Sequence, residues 1–300
     1  MGWREWMSGA WRDWRSALPQ CTDAFCRRTS RAQIWGKRGG IELQGIWYCS
    51  PQCFERAVER QFVRASVARF PTPGPQHRVP LGLLLLARGE LSNGQLRRAL
   101  DLQCTQGRGR IGHWLEQLGF ATEQQVTVAL GLQWACPVLP AGVAHDPECC
   151  RLLPFCLLLQ ARLLPIHFSA GPRVLHVAFA DGIDYTVLYA IEQMLDCHTE
   201  PCLIGERAIV QELERIGQRP RPGELRFEGW RDAHEMARIT GGYALKLGAR
   251  RVRAAACGEH LWVRLESEKE TSDLWFGRPG REKNLHSGDQ PRAANSGPIT

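Results

Sequence analysis

Apolar positions recur at helical spacing from the first residue onward. In the opening segment Trp3, Trp6, Met7, Ala10, Trp11, Trp14 and Leu18 fall on one face, with Arg4, Glu5, Arg12, Asp13 and Arg15 largely elsewhere. This predicts an amphipathic helix over 1–18. A stripe so rich in tryptophan needs a cover, either the rest of the protein or a partner or membrane surface. A second helix is expected from Arg56 to Phe70, ended by the linker-like "PTPGPQHRVP" at 71–80. Beyond it, Leu81–Gln103 and Ile111–Gln133 each read as a short helix, a turn at Gly89 or Gly119, and a longer helix. Ser92 and Thr122 stand three positions before Gln95 and Gln125, the capping-box spacing. From Cys150 the pattern predicts a helix, strands at "LLPIHF" and "RVLHVAFA", a helix over Asp184–Asp196, a strand near "TEPCLI" and a helix ending at Ile216. After the breaker "GQRPRPGE" come a helix over Trp230–Leu247 and strands at "RRVRAAAC", "HLWVRLES" and "DLWF". Residues 278–300, rich in Gly, Pro, Ser, Asn and charge, read as a disordered tail.

The two helical hairpins spell the same pattern. Shifted by thirty positions, Gly82 meets Gly112, Leu85 meets Leu115, Gly89 meets Gly119, Gln95 meets Gln125, Leu100 meets Leu130 and Gln103 meets Gln133. Such a duplication serves either packing, since glycines and leucines suit any tight helical pair, or a ligand that itself has two similar halves.

Composition narrows the class. With 300 residues and 44% apolar content the chain can bury several cores. The net charge of +7 comes almost wholly from arginine and is spread along the chain. No polybasic block marks a nucleic-acid or lipid footprint. Twelve cysteines in a chain of this length, with no apolar leader, point to a reducing, cytoplasmic compartment. The most apolar stretch, Arg151–Phe168, is broken by Pro154, Gln160, Arg162 and Pro165, so no membrane span is expected.

Two close cysteine pairs carry metal chemistry. Cys21 and Cys26 form one, while Cys49 and Cys53 form the other at the start of a predicted helix. Four thiolates can converge on one Zn²⁺, and a helix N-terminus favours their negative charge. This resembles a treble-clef or zinc-ribbon knuckle, with looser spacing than usual. Such a site is structural, because four thiolates leave no open position for substrate. The other reading is four unrelated buried cysteines. The histidines are scattered; His167 and His176 lie on neighbouring predicted strands and can face each other there.

At the doubled motif the chain resembles the MshEN domain, the N-terminal domain of type II secretion and type IV pilus assembly ATPases, whose motif reads RLGxxLxxxGxxxxxxLxxxLxxQ. The first copy matches with Leu81, Gly82, Leu85, Gly89, Leu96, Leu100 and Gln103. The second matches with Arg110, Ile111, Gly112, Leu115, Gly119, Val126, Leu130 and Gln133. The resemblance, covering about 80–216, implies that the tandem motifs bind cyclic di-GMP, a two-fold symmetric ligand suited to two half-sites. On that reading Gly82 and Gly112 allow close backbone approach, the leucines face purines, the glutamines address base edges, and Arg110 forks onto guanine or phosphate. The first copy departs from the motif, with Pro80 where the arginine belongs and Arg78 nearby. A following unit resembles the next domain of those ATPases, yet Arg251, Arg253 and Ala254 stand at its acidic and histidine positions. No G-x-x-x-x-G-K-[ST] occurs, which excludes a credible P-loop ATPase.

The expected architecture is therefore α+β and multidomain: a Trp-rich helix (1–18), a zinc-knuckle domain (19–70), a four-helix tandem-hairpin ligand domain (79–140), a small α/β layer (150–217), a degenerate αββ module (228–277) and a tail (278–300). The expected function is a non-enzymatic cyclic di-GMP receptor acting on a secretion or pilus assembly component, with the knuckle for docking. A ligand-free assembly adaptor is the alternative, and nucleic-acid binding through the knuckle is a lesser one.

Overall fold

The computed structural model describes residues 21–26, 40–67, 78–107, 109–140, 142, 145–228 and 232–277. The Trp-rich segment 1–18, most of the 71–80 linker and the tail 278–300 lie outside the described residues. The fold is mixed α+β, and no described helix is long and apolar enough to cross a membrane.

The first described elements are two short strands, β1 (Ile41–Leu43) and β2 (Ile46–Tyr48), and a helix α1 (Pro51–Val67). The tandem hairpins follow as α2 (Leu81–Ala87), α3 (Asn93–Gln106), α4 (Ile111–Gln117) and α5 (Glu123–Trp134). Both capping boxes form as the spacing predicts. Ser92 accepts from the Gln95 amide while the Gln95 side chain accepts from the Ser92 amide, and Thr122 and Gln125 repeat the exchange. Gly89 and Gly119 have φ of +71° and +66°, the left-handed conformation in which each first helix terminates and which glycine adopts without a Cβ clash.

The helix expected from Cys150 is divided: Pro154 separates a 3-10 turn at Cys149–Arg151 from α6 (Phe155–Ala161). Then come β3 (Leu163–Ser169), β4 (Val174–Phe179), α7 (Tyr185–Leu195), β5 (His198–Leu203) and α8 (Glu206–Gly217). These build a three-stranded sheet in the order β3-β4-β5, antiparallel then parallel, the parallel pair joined through α7. Pro165 is tolerated in β3 because the strand is at an edge and its register shifts at that point. His167 and His176 are directly opposite across β3 and β4, their rings 6.3 Å apart and nearly parallel.

The last part contains β6 (Glu224–Glu228), α9 (Ala233–Lys246), β7 (Arg251–Cys257), β8 (His260–Glu266) and β9 (Thr271–Gly277). Strand β6 is an addition to the expected elements: it begins inside the "GQRPRPGE" breaker and pairs parallel with β9. Strands from the expected 19–70 and 228–277 stretches pair with one another. The strands of both lie in one six-stranded sheet, ordered β2-β1-β7-β8-β9-β6, in which β1 pairs parallel with β7. Helices α1 and α9 pack together on one face of it, over a core that includes Phe54, Val58, Phe62, Val252, Val263 and Phe276. The opposite face presents Ala255, Cys257, Trp262 and Trp275 to the core of the α/β layer. At that seam Asp273 accepts from Trp262 Nε1 at 2.7 Å and from Arg264 Nε and Nη2 at 2.8 Å each. Arg264 Nη2 also donates to the Leu152 carbonyl at 2.7 Å.

Candidate functional site

The four tandem helices share a small core of their own, centred on Leu85 and Leu115, neither of which has any exposed surface. Leu81, Gly82, Leu96, Gly112 and Val126 are also buried, Ile111 and Leu130 are half-buried, and Leu100 is exposed. The motif glycines inside the first helices are closely packed. A Cβ on Gly82 would lie 2.6 Å from Leu96 Cδ1, and one on Gly112 would lie 2.9 Å from Val126 Cγ1 and 3.3 Å from Leu81 Cδ2. Each pair, glycine with Leu96 or with Val126, falls within one motif copy, so the repeated pattern specifies the contact between its own two helices. Across copies the packing exchanges, with α2 against α5 and α3 against α4.

The terminal glutamines follow the same exchange. Gln103, near the end of α3, donates its Nε2 to the Gly109 carbonyl at 2.9 Å, one residue before Arg110. Gln133, near the end of α5, donates to the Val79 carbonyl at 2.7 Å, one residue before Pro80. Val79 and Gly109 are themselves thirty positions apart, so each copy's last residue fixes the lead-in to the other copy's first helix. The two copies are thus related as halves of a pseudo-two-fold arrangement.

Arg110 stands at the N-cap position of α4 and its side chain reaches the α/β layer. Its Nη1 donates to the Asp181 carbonyl at 2.9 Å and lies 3.5 Å from the Asp181 carboxylate, with the side chain 69% exposed. Asp181 is shared with Arg162, which also pairs with Glu206. In the first copy Pro80 stands at the corresponding position, and Arg78, two residues earlier, lies over the Trp134 ring, 3.3 Å from its centroid. Trp134 packs on the bare face of Gly182 and approaches Tyr185. Arg110 therefore reaches the segment between β4 and α7 directly, and Arg78 stacks on the tryptophan that packs against the same segment. Nearby Glu116 has its carboxyl pushed up by burial, and then by the charges of Glu123 and Glu206. Glu123 in turn accepts from the Arg207 amide at 2.8 Å, a further tie between tandem and layer.

The cysteine pairs converge. The Sγ atoms of Cys21, Cys26, Cys49 and Cys53 all lie within 4.8 Å of one another, with Cys26–Cys49 at 3.5 Å and Cys49–Cys53 at 4.0 Å. Four sulfurs about 2.3 Å from a tetrahedral ion stand about 3.8 Å apart, so the donor set fits a metal ion. Burial first, then the neighbouring Cys26 and Cys21 thiols, pushes the Cys49 thiol up to about 12, against ionisation. A bound divalent ion inverts that preference. Sequence reasoning missed the support around it. Asp23, enclosed between Cys21 and Cys26, accepts from Arg56 Nη2 at 2.6 Å and Arg60 Nη1 at 3.2 Å. Burial alone would raise this carboxyl, yet hydrogen bonds from Arg56, Cys53 and Arg60 hold it below its ordinary value. An acidic residue flanked by two cysteines was the available signal; its partners, 33 and 37 positions away, were not legible.

The MshEN domain model matches residues 130–223, the end of α5 and the whole α/β layer. A structure of MshE with cdg is 34% identical with a TM-score of 0.41, covering 46% of this chain and 99% of that one. The N-terminal domain of XpsE is 19% identical with a TM-score of 0.35, covering 47% and 98%. In another crystal form the values are 24% and 0.29, with 44% and 90% covered. No curated protein matches. Over residues 130–223, then, this chain carries a domain of the MshEN family.

Proposed function

We propose that the protein is a non-enzymatic cyclic di-GMP receptor that regulates a type II secretion or type IV pilus component from the cytoplasm, using its tandem motif as a split ligand site. The observation that carries this reading is the reciprocal glutamine bracing, in which Gln103 and Gln133 each hold the start of the opposite copy. A ligand with two equivalent guanine and phosphate halves matches two half-sites so related. The MshEN match and the likeness to MshE, whose structure is with cdg, point to the same ligand class.

In this reading Arg110 is the charged contact of one half-site, and Arg78 replaces the arginine that Pro80 displaced in the other. The leucines and glycines of the motif set the hairpin geometry, and Leu100, exposed on α3, offers an apolar face to a base. The four-thiolate site holds Zn²⁺ in a structural role. Titration of cyclic di-GMP into the full chain tests the reading: one ligand per chain is expected, with weaker binding by Gln103→Ala and Arg110→Ala.

A ligand-free assembly adaptor is the second reading. It is favoured by Arg110 already being engaged with Asp181 and by Gly82 and Gly112 being filled by neighbouring side chains. Under it the dinucleotide produces no heat, while partner capture is indifferent to Arg110→Ala.

A further inference from the structure

The six-stranded sheet assigns the cysteine site a reach beyond its own segment. Strands β1 and β2 have three residues each, and a two-stranded hairpin of that size does not stand alone in water. The strands belong to the sheet through β7: the Glu42 amide donates to the Arg250 carbonyl at 2.8 Å and the Gln44 amide to the Val252 carbonyl at 3.0 Å. Helix α1 completes the attachment. Its Phe62 ring lies 6.3 Å from that of Phe276 in β9, and Glu59 is 3.4 Å from His234 of α9.

The sulfur ligands sit inside this same assembly. Cys49 follows β2 directly and Cys53 occupies the first turn of α1. Both are at most 4% exposed and share one core with Val252, Val263, Leu274 and Phe276, some two hundred positions later in the chain. Cys21 and Cys26 come from a turn fixed through Asp23 onto Arg56 and Arg60 of α1. A metal joining the four sulfurs therefore fixes β2, the start of α1 and the 21–26 turn at one point; β2 is the outer strand of the six-stranded sheet and α1 lies on one of its faces. None of the tandem-hairpin core residues belongs to this core.

We propose that the metal held by Cys21, Cys26, Cys49 and Cys53 is the staple of a composite domain, formed from the described residues 21–26 and 40–67 together with 224–228 and 233–277 around the intervening MshEN region, and that its occupancy sets the stability of the C-terminal sheet. The proposal rests on the reading of the cysteine cluster as a metal centre. It replaces a separate docking knuckle with a device that joins the two ends of the fold. Linkage makes the coupling reciprocal: whatever binds the folded composite stabilises all of it, and whatever loosens the composite weakens binding.

The experiment uses the full chain, reconstituted with Zn²⁺, its metal content measured, and amide hydrogen exchange followed before and after removal of the ion with a chelator. Exchange is expected to accelerate together in α1, β1, α9 and β7, while α2 to α4 keep their protection. In a second arm Val252→Ala, on β7 opposite Leu43 and itself no metal ligand, is expected to lose zinc to a competing chelator about tenfold more readily. If the reconstituted chain binds no metal, the metal-centre reading falls and the staple with it. If metal is bound, yet exchange accelerates only within 21–67 and Val252→Ala retains zinc normally, the site stands and the staple is overturned.

Discussion

Replacing Asp273 by alanine probes the seam between the C-terminal sheet and the α/β layer. The carboxylate receives three hydrogen bonds, one from Trp262 and two from Arg264, at 2.7 and 2.8 Å. Arg264 and Asp273 are only 6% and 8% exposed. Removing the acid leaves a guanidinium in the core with the Leu152 carbonyl as its remaining hydrogen-bond acceptor, and leaves an indole N–H without an acceptor. Breaking one side of a buried pair in this way costs about 3–5 kcal/mol. With a urea slope of about 3 kcal/mol per molar, the unfolding midpoint falls by about 1 M or more. Asp273→Asn keeps one acceptor and should lose less. The paired change Arg264→Met with Asp273→Leu removes both charges together, and should recover most of the loss. Urea denaturation followed by tryptophan fluorescence reports all of these, since Trp262 and Trp275 are buried at the seam. If Asp273→Ala costs less than about 1 kcal/mol, water reaches the guanidinium and the seam is not the closed core described here.

Two further predictions concern the tandem. Gly112→Ala should destabilise by about 1–3 kcal/mol, because the added methyl meets the stiff β-branched Val126. Gly82→Ala should cost less, since Leu96 can swing aside, and thermal melts of the two variants compare them directly. Glu116, whose folded carboxyl titrates above its ordinary value, opposes folding when ionised. That penalty is absent below the unfolded carboxyl pKa of about 4.3, and is fully present once the pH exceeds the raised folded value. Glu116→Gln should therefore stabilise the protein at pH 7 and leave it unchanged near pH 4; an equal effect at both values would contradict the assignment.

What the sequence made legible was local. The capping boxes at Ser92 and Thr122 have a three-residue span, and so does the turn chemistry of Gly89 and Gly119, so the hairpins and their duplication could be read directly. The cysteine cluster was legible for the same reason within each pair, and the convergence of the two pairs followed from their number. The parallel pairing of β1 with β7 was not, because the partner that completes these three-residue strands lies two hundred positions away. Strand β6 escaped because it starts within a proline- and glycine-rich stretch, although Leu225 and Phe227 alternate with charged neighbours as a half-buried strand should. The glycines at 82 and 112 suited both a backbone approach to a ligand and a close helix contact; Leu96 and Val126 against them supply the second. Arg110 was picked out as a ligand contact, while its docking on Asp181 required the fold.

The central question is whether the duplicated motif receives a two-fold ligand. Calorimetric titration of cyclic di-GMP into the folded, zinc-loaded full chain, beside Gln103→Ala and Arg110→Ala, measures that. One site per chain, weakened in both variants, is the predicted result. Absence of heat at tens of micromolar protein and ligand would contradict it and leave the repeat as a scaffold for protein partners.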